Sequence, residues 1–404
     1  MRSFLFFWAP FFFLFIFPVG AQVNSPRSDA PELGSRAAVA MDATTGTIVF
    51  YKNPDEEIPP ASLTKLMTMH LVLREIEAGR ASPDEIISLP RESWAINQPP
   101  GSSLMLLANG QTPSLRDILL GMAVFSGNDA ATAAALRFAP SVNAFVGMMN
   151  REAAALGLAK TRFVDPAGYW EENMTTARDF AEFCRLYIEA HPQSIKDYHS
   201  AREFSYPRPE NVAERYRGNP VTKTQRNNNS LLGKVEGVDG LKTGYIPEAG
   251  FNIALTAERN DSRFVAVILG APAGWGGDRI RDADGTKLLE WVFGHYKTIR
   301  PTASAPEPVR VWKGKTNFTD ITWSVPLEFT ALAERGNNME YDIDLIEPLI
   351  APLPAGSYTG DLVLYDSLGE LRRVPLLTVA DVEKGGFFKR LFDSIRLFFR
   401  RTGK

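Results

Sequence analysis

The chain has 404 residues, 45% hydrophobic and 23% charged, which is enough apolar material for a large core and excludes a disordered chain. The formal net charge of -3 gives a nucleic-acid partner no electrostatic support, so we expect none. Cys184 is the only cysteine, which excludes an intramolecular disulfide and, beside Phe183, predicts a buried thiol.

The first residues predict an exported protein. Arg2 precedes a phenylalanine-rich stretch that ends at Val19-Gly20-Ala21, a pattern typical of a cleavable secretory signal. We therefore predict a signal peptide over residues 1–21 and export of the mature protein. The alternative is an uncleaved membrane helix, because the apolar run approaches spanning length, but Pro10 and Pro18 argue against it.

The next elements are a hairpin and a helix that carries two chemically useful side chains. Apolar runs at 37–40 and 47–51 around a turn predict a β-hairpin. After Pro59-Pro60, the spacing of apolar residues predicts a helix over 61–78. Ser62 lies in its first turn, and Lys65 follows on the same face one turn later. The alternative for Ser62 is a helix N-cap.

Helical patterns dominate the middle of the chain, at 114–125, 129–138, 142–156 and 177–190. Ser126-Gly-Asn128 is the break between the first two. The same Ser-x-Asn pattern recurs at Ser141-Val-Asn143, so it is not specific by itself.

Three strands and a helix follow. Strands are predicted at 238–245, 251–259 and 263–270, and a helix at 278–296. Lys242-Thr-Gly244 lies within the first strand. Together these elements predict an α+β domain over residues 30–300, with an antiparallel sheet flanked by helices and a large helical insertion.

The C-terminal part of the sequence is predicted to form a separate domain followed by a terminal helix. Pro301, Pro306 and Pro308 mark a linker, and residues 301–382 are predicted to form a small β-rich domain. Residues 385–401 place phenylalanines on one helical face and basic residues largely on the other, as in a helix that lies in a membrane interface. The alternative is a terminal helix packed on its own domain.

The chemistry suggested by these residues is that of a serine nucleophile with a lysine base. A serine hydroxyl needs a base, and Lys65 is the one that local geometry places beside Ser62. Lysine must be neutral to act, and burial near a second cation such as Lys242 lowers its pKa. The four histidines form no Ser-His-Asp set or metal pattern that we can identify, so we expect no metal and no cofactor; they are His70, His191, His199 and His295.

Ser62-Leu-Thr-Lys65, Ser126-Gly-Asn128 and Lys242-Thr-Gly244, in this order, resemble the motifs of serine penicillin-binding proteins and β-lactamases. The closer resemblance is to the low-molecular-mass D-alanyl-D-alanine carboxypeptidases of the DacA type, and it extends through the β domain and the terminal helix. It implies a β-lactamase/transpeptidase-like fold. It also implies cleavage of the terminal D-alanine from peptidoglycan stem peptides and acylation by β-lactam antibiotics. The expected location is the periplasm, with peripheral attachment to the outer face of the cytoplasmic membrane.

The resemblance also implies roles for single residues. Ser62 would be the nucleophile and Lys65 its base, with Ser126 and Asn128 as proton relay and amide holder. The strand with Lys242 and Gly244 would pair with the substrate, and the N–H groups of Ser62 and Tyr245 would form the oxyanion hole. Thr243, Lys242 and Arg281 would hold the terminal carboxylate, with Arg279 as the competing arginine.

Two departures from the family pattern concern the rim of the site. Asn227-Asn-Asn229 replaces a common Asn-Arg-Asn, which removes an arginine that Arg226 could replace. Asp165-Pro-Ala-Gly-Tyr-Trp170 replaces a common Pro-x-Gly-Leu loop, so we expect Tyr169 and Trp170 to reshape the rim of the pocket. A DD-endopeptidase or a β-lactamase on the same scaffold is the alternative enzyme, with Glu171-Glu172-Asn173 faintly resembling a deacylating loop. A catalytically silent cell-wall scaffold is disfavoured by the intact motifs.

Overall fold

The computed structural model describes residues 27–214, 218 and 221–402. The predicted signal peptide therefore lies outside the described residues. The helices are α1 (Lys65–Glu77), α2 (Leu115–Leu120), α3 (Asn128–Phe138), α4 (Val142–Ala155), α5 (Ala177–Ala190), α6 (Pro192–Ser194), α7 (Gly277–His295) and α8 (Phe387–Thr402).

The strands of the first part of the chain are β1 (Ala37–Asp42), β2 (Ile48–Lys52), β3 (Glu203–Tyr206), β4 (Lys223–Arg226), β5 (Val238–Ile246), β6 (Gly250–Arg259), β7 (Ser262–Ala271) and β8 (Tyr296–Ile299). Those of the second part are β9 (Val309–Trp312), β10 (Phe318–Thr319), β11 (Ile321–Trp323), β12 (Phe329–Leu332), β13 (Glu340–Leu345), β14 (Leu349–Ile350), β15 (Tyr358–Asp366) and β16 (Gly369–Thr378).

The central sheet is antiparallel and has the order β2-β1-β7-β6-β5. Its two faces are both buried, because alternate side chains of each strand enter different cores. Val39 of β1 and Val267 of β7 pack with the helical insertion, whereas Ala40 and Ile268 pack with α7. The continuous apolar runs in β6 and β7 follow from this two-sided burial. β5 is left as an edge strand.

The helical insertion lies between β2 and β5. α5 shows how its sequence makes a core: Thr176 caps the N-terminus by accepting the Asp179 N–H at 3.1 Å, and Phe180, Phe183 and Tyr187 are buried at helical spacing. Cys184 is buried on this same face, as the sequence predicts, and burial raises the pKa of its thiol. The thiol therefore belongs to the core.

One predicted helix begins differently in the structure. Residues Ala61–Thr64 form a 3-10 turn, and α1 starts only at Lys65. The prediction of one helix over 61–78 is therefore wrong for its first turn, since Ala61 has a left-handed φ of +51° that no α-helix accommodates.

The C-terminal strands form sheets of order β10-β9-β14 and β11-β16-β15-β13 around a core of their own. β8, at the end of the first part of the chain, pairs with β12 of the second. Asp42 reinforces this junction by accepting the hydroxyl protons of Thr298 and Thr330, both at 2.8 Å. A buried carboxylate between two hydroxyl donors fixes the position of one part on the other.

Candidate active site

The turn that carries Ser62 is built by prolines and strained backbone. Pro60 has a fixed φ and its carbonyl accepts the Leu63 N–H at 3.2 Å, which closes the turn. Ala61 takes the left-handed conformation that separates this turn from the prolines. Strain of this kind is held in place only by surrounding contacts and is typical of functional sites. Ser62 is partly exposed in the 3-10 turn that precedes α1, and Lys65, the first residue of α1, is fully buried.

The side-chain nitrogen of Lys65 lies among three oxygen atoms. Its Nζ is 2.9 Å from Ser62 Oγ, 2.8 Å from Asn128 Oδ1 and 2.7 Å from the carbonyl oxygen of Ala167. Burial lowers the pKa of Lys65 from 10.5 to about 7, although the charges of Asp165 and Asp129 act in the opposite direction. Desolvation outweighs the two carboxylates, so a large fraction of the amine is neutral near pH 7.

Asn128 reaches Lys65 from the start of α3. A π-helical segment, Gly121–Phe125, ends at Ser126, whose left-handed φ of +57° turns the chain before α3 begins. Ser126 is buried beside this break, and the Asn128 side chain donates its Nδ2 protons to Ser102 Oγ at 3.0 Å. That bond fixes which way the amide points, so Oδ1 faces Lys65.

The loop that carries Ser102 is fixed by a neighbouring carboxylate. Asp129 accepts the backbone N–H groups of Met105 and Leu107, each at 2.9 Å. Asp129 immediately follows Asn128, so one turn of α3 anchors both the amide and the loop. Neither Ser102 nor Asp129 has a role that is predicted from the sequence. A Ser-x-Asn motif followed by an acidic residue is the signal that could have indicated the second.

The third motif lies on the edge strand β5, packed directly against the Ser62 turn. A Cβ atom at Gly244 would lie 2.8 Å from the Pro60 carbonyl oxygen and 2.9 Å from the Ser62 nitrogen, so only glycine fits here. Lys242 and Thr243 are buried beside it, and Tyr245 is 44% exposed. Strand β5 thus brings its motif to the serine.

The charge of Lys242 is destabilised in this site. Its pKa is lowered well below the ordinary value, first by burial and then by the positive charges of Lys65 and Arg281. Its Nζ donates to the carbonyl oxygen of Thr243 at 3.0 Å. Burial and the two neighbouring cations therefore lower the pKa of Lys242 together.

Of the two candidate arginines, Arg281 faces inward. It is 6% exposed, donates to Asp282 Oδ1 at 2.8 and 2.6 Å, and lies 5.9 Å from the ring of Phe251. The guanidinium of Arg279 instead lies over the exposed ring of Trp275 at 5.4 Å. The structure therefore brings Arg281 toward the Lys242 side of the site and leaves Arg279 at the surface.

Several other predicted candidates lie elsewhere. Arg226 is exposed on β4, and Ser141 of the second Ser-x-Asn pattern caps α4 by accepting the Ala144 N–H at 3.1 Å. His70 is bonded to Glu152 at 3.2 Å and to His191 at 2.8 Å, which leaves it a structural histidine. Among the residues that the structure describes, no group of three or more histidine, cysteine or acidic side chains is arranged to hold a metal ion.

The family model for D-alanyl-D-alanine carboxypeptidase, Peptidase_S11, matches residues 24–273. The chain is 32% identical over 399 residues to the D-alanyl-D-alanine carboxypeptidase DacC of Escherichia coli strain K12, which is 96% of this chain and 94% of that protein. It is 34% identical over 394 residues to DacD of the same organism, which is 94% of this chain and 96% of that protein. Penicillin binding protein 5 from Haemophilus influenzae has a similar structure, with a TM-score of 0.75 at 27% identity over 88% of this chain and 99% of that chain.

The chain therefore belongs to the D-alanyl-D-alanine carboxypeptidase family. It is a serine-type D-Ala-D-Ala carboxypeptidase, a hydrolase of the cell wall. The predicted α+β, transpeptidase-like fold is confirmed by the same likeness.

Proposed function

We propose that Ser62 removes the terminal D-alanine of a peptidoglycan stem through an acyl-enzyme. Its Oγ forms an ester with the carbonyl carbon between the two D-alanines while the C–N bond breaks. The serine proton passes to Lys65 and then, through Ser126, to the leaving amine. Water hydrolyses the ester and restores the serine. A β-lactam ring, which carries a comparable amide, acylates the same oxygen.

The arrangement of atoms around Lys65 is the observation that carries this proposal. A neutral amine has two N–H bonds and one lone pair. Of its three neighbours, Asn128 Oδ1 and the Ala167 carbonyl oxygen can only accept, whereas the hydroxyl of Ser62 can donate. The two acceptors therefore take the N–H bonds and direct the lone pair at the serine proton. This is the geometry of a general base poised on its nucleophile.

The edge strand supports the binding role of the third motif. An extended peptide adds to the free edge of β5 as a further strand, and Gly244 lets this strand lie directly against the Ser62 turn. The backbone N–H groups of Ser62 and Tyr245 stabilise the oxyanion, where one donor is worth on the order of 3 kcal/mol. The terminal carboxylate is held by Thr243, Lys242 and Arg281, which supply hydroxyl and cationic donors.

The test is to incubate the purified protein with a labelled penicillin and with a pentapeptide that ends in D-Ala-D-Ala. We expect the label on Ser62 by mass spectrometry, and neither labelling nor D-alanine release from Ser62→Ala. Ser126→Ala should lose most peptide turnover, whereas the matched control Ser141→Ala, in the second Ser-x-Asn pattern, should keep it. Stoichiometric labelling of Ser62→Ala would refute the assignment.

Of the alternative enzymes, endopeptidase action has a specific observation in its favour. A D-alanyl-D-alanine endopeptidase of Pseudomonas aeruginosa is 31% identical over 283 residues, 69% of this chain and 84% of that protein. Cross-linked and free stems offered in competition separate the two activities. The β-lactamase alternative has less support, because Glu171 and Glu172 are exposed and Asn173 is turned toward Asp165.

The second part of the proposal is that α8 attaches the protein to the outer face of the cytoplasmic membrane. Asp393 is buried and docks the helix on the β-rich domain, since it accepts the Lys313 N–H at 2.7 Å and a Lys389 proton at 2.6 Å. The opposite side exposes large apolar residues: Phe387, Phe388, Leu391, Phe392 and Ile395. Within the part of the chain that the structure describes, no helix has the length and apolarity to cross a bilayer.

Such a helix binds in the plane of the interface, where each phenylalanine contributes on the order of 1.5–3 kcal/mol if fully buried. The test is sedimentation with vesicles that contain anionic lipid, at low and high salt. Replacing Phe388, Phe392 and Ile395 by serine should abolish binding without a change of charge. The matched control is Phe318→Ser, which removes a phenylalanine that is 57% exposed on the same domain. Unchanged binding of the triple variant would refute this anchor.

A further inference from the structure

The segment 165–170 folds around the carboxylate of Asp165, which is 8% exposed. Oδ1 lies 2.6 Å from the nitrogens of Ala167 and Gly168, and Oδ2 lies 3.1 Å from those of Tyr169 and Trp170. The side-chain amide of Asn173 adds a further bond to Oδ2, at 2.7 Å. One carboxylate therefore satisfies four successive backbone donors, which fixes the path of the backbone through them.

This segment lies against the Ser62 turn and α1. Besides the Ala167 carbonyl on Lys65, the carbonyl of Pro166 accepts the hydroxyl proton of Thr68 at 2.7 Å. At Gly168, with a φ of +76°, a Cβ atom would lie 1.8 Å from the carbonyl oxygen of Ala61. The position of the Ala167 carbonyl is thus set by contacts on both sides and by Asp165 from behind.

We propose that Asp165 is a positioning residue for the general base, because it holds the Ala167 carbonyl as one of the two acceptors that direct the Lys65 lone pair at Ser62. Asp165 touches no reacting atom and acts only through the backbone of residues 166–170. The proposal rests on the role of Lys65 as base put forward above. It goes further by assigning a function to the segment that covers this lysine.

The charges around Lys65 give the proposal a measurable signature. Asp165 and Asp129 favour the ammonium form of Lys65, while burial favours the neutral amine. The charge of Lys65 in turn lowers the pKa of the neighbouring Lys242. Removing the negative charge of Asp165 therefore lowers the pKa of Lys65 further. Loss of the Ala167 acceptor acts in the same direction, since an ammonium gains more from that bond than an amine does. Both effects move the acidic limb of the acylation rate to lower pH.

The experiment is stopped-flow acylation of the full chain by a fluorescent penicillin between pH 5 and pH 9. Asp165→Asn keeps the shape of the side chain but replaces one acceptor oxygen by a donor amide that faces backbone N–H groups. We expect the rate on the plateau to fall by about 10- to 100-fold, as misplacement of a catalytic group by about 1 Å produces. We also expect the acidic limb to move down by about one pH unit.

The matched control is Asp179→Asn. Asp179 also accepts a backbone N–H, that of Lys160 at 2.8 Å, and the hydroxyl proton of Thr161 at 2.9 Å, but neither of these residues is one of the three that bond Lys65. Asp179→Asn should keep both the plateau rate of acylation and the pH of its acidic limb. An equal loss in both variants, or a loss in Asp165→Asn with an unmoved limb, would overturn the proposal.

A second variant keeps the test informative if Asp165→Asn does not fold. Asn173→Ala leaves the carboxylate in place and removes its 2.7 Å bond from the side-chain amide, together with the bonds of that amide to the Val164 N–H and the Trp170 carbonyl. In this variant the plateau rate of acylation should fall by a few fold. The acidic limb should stay at the same pH, because the negative charge of Asp165 is retained. An unchanged plateau would overturn the proposal. Failure of the proposed function would look different, since the unmodified protein would then show no acidic limb near pH 7.

Discussion

Asn128→Asp is the most direct test of the electrostatics that make Lys65 a base. The substitution keeps the size of the side chain and replaces a neutral oxygen 2.8 Å from Lys65 Nζ by a carboxylate oxygen. An opposite charge at this distance typically moves a pKa by about 1–3 units toward the charged form. The pKa of Lys65, which burial lowers to about 7, should therefore rise.

The size of the effect follows from the neutral fraction of the amine. With a pKa of about 7, roughly half of Lys65 is neutral at pH 7, whereas an ordinary lysine would be neutral about a thousandfold less often. A rise of about two units leaves about 1% neutral, so acylation at pH 7 should be about fiftyfold slower. The lost rate should return as the pH is raised through the new pKa.

The assay is the second-order rate of penicillin acylation measured across pH for the parent chain and for Asn128→Asp. Ser102→Ala is the control, because it removes the Nδ2 partner of Asn128 at 3.0 Å without a change of charge. Its acidic limb should stay where the parent chain has it. If Asn128→Asp slows acylation equally at every pH, the amide acts by geometry alone and the electrostatic argument fails.

Two further predictions concern other parts of the molecule. Arg281→Ala should weaken peptide turnover by about tenfold or more, and Arg279→Ala should change it little, because a buried cation contributes more than an exposed one; steady-state kinetics of both variants decide this. Burial lowers the pKa of His70 to about 4. The unfolded chain then binds the proton more readily, so the free energy of unfolding should fall as the pH drops below about 6.5, and urea unfolding of His70→Gln should show a shallower fall.

Much of the fold could be predicted from periodicity and turn residues. Apolar runs on either side of a turn at Asn260 and Asp261 predicted β6 and β7 to within a residue, and both turn residues have positive φ. The helical spacing of α5 was predicted with its observed bounds. The left-handed Ala61 could not be predicted, because that conformation is imposed by packing of the Ser62 turn and not by the local sequence.

The candidate site also has a part that the sequence predicts and a part that only the fold determines. Side chains with distinctive chemistry, Ser62 and Lys65 above all, are visible in the sequence, and the structure brings them together with Asn128. The Ala167 carbonyl is invisible there, since every residue has one and only the tertiary fold selects it. The choice between Arg279 and Arg281 is also a matter of packing. The two residues are about 200° apart around α7, so one faces the site and the other faces solvent.

Lys65 and Lys242 differ in the charges that surround them. This difference predicts that the site takes up a proton when a ligand binds. Lys65 faces Asp165 and Asp129, whereas Lys242 faces the cations Lys65 and Arg281, which lower its pKa beyond the effect of burial. A ligand carboxylate bound there would supply a counter-ion, so it should raise the pKa of Lys242 and favour the uptake of a proton from solution. Calorimetric titration of Ser62→Ala with a D-Ala-D-Ala peptide, in buffers of different ionisation enthalpy, measures that uptake. Binding of the peptide without proton uptake would contradict this prediction. It would mean that Lys242 is already charged in the empty site, or that Arg281 alone pairs with the carboxylate.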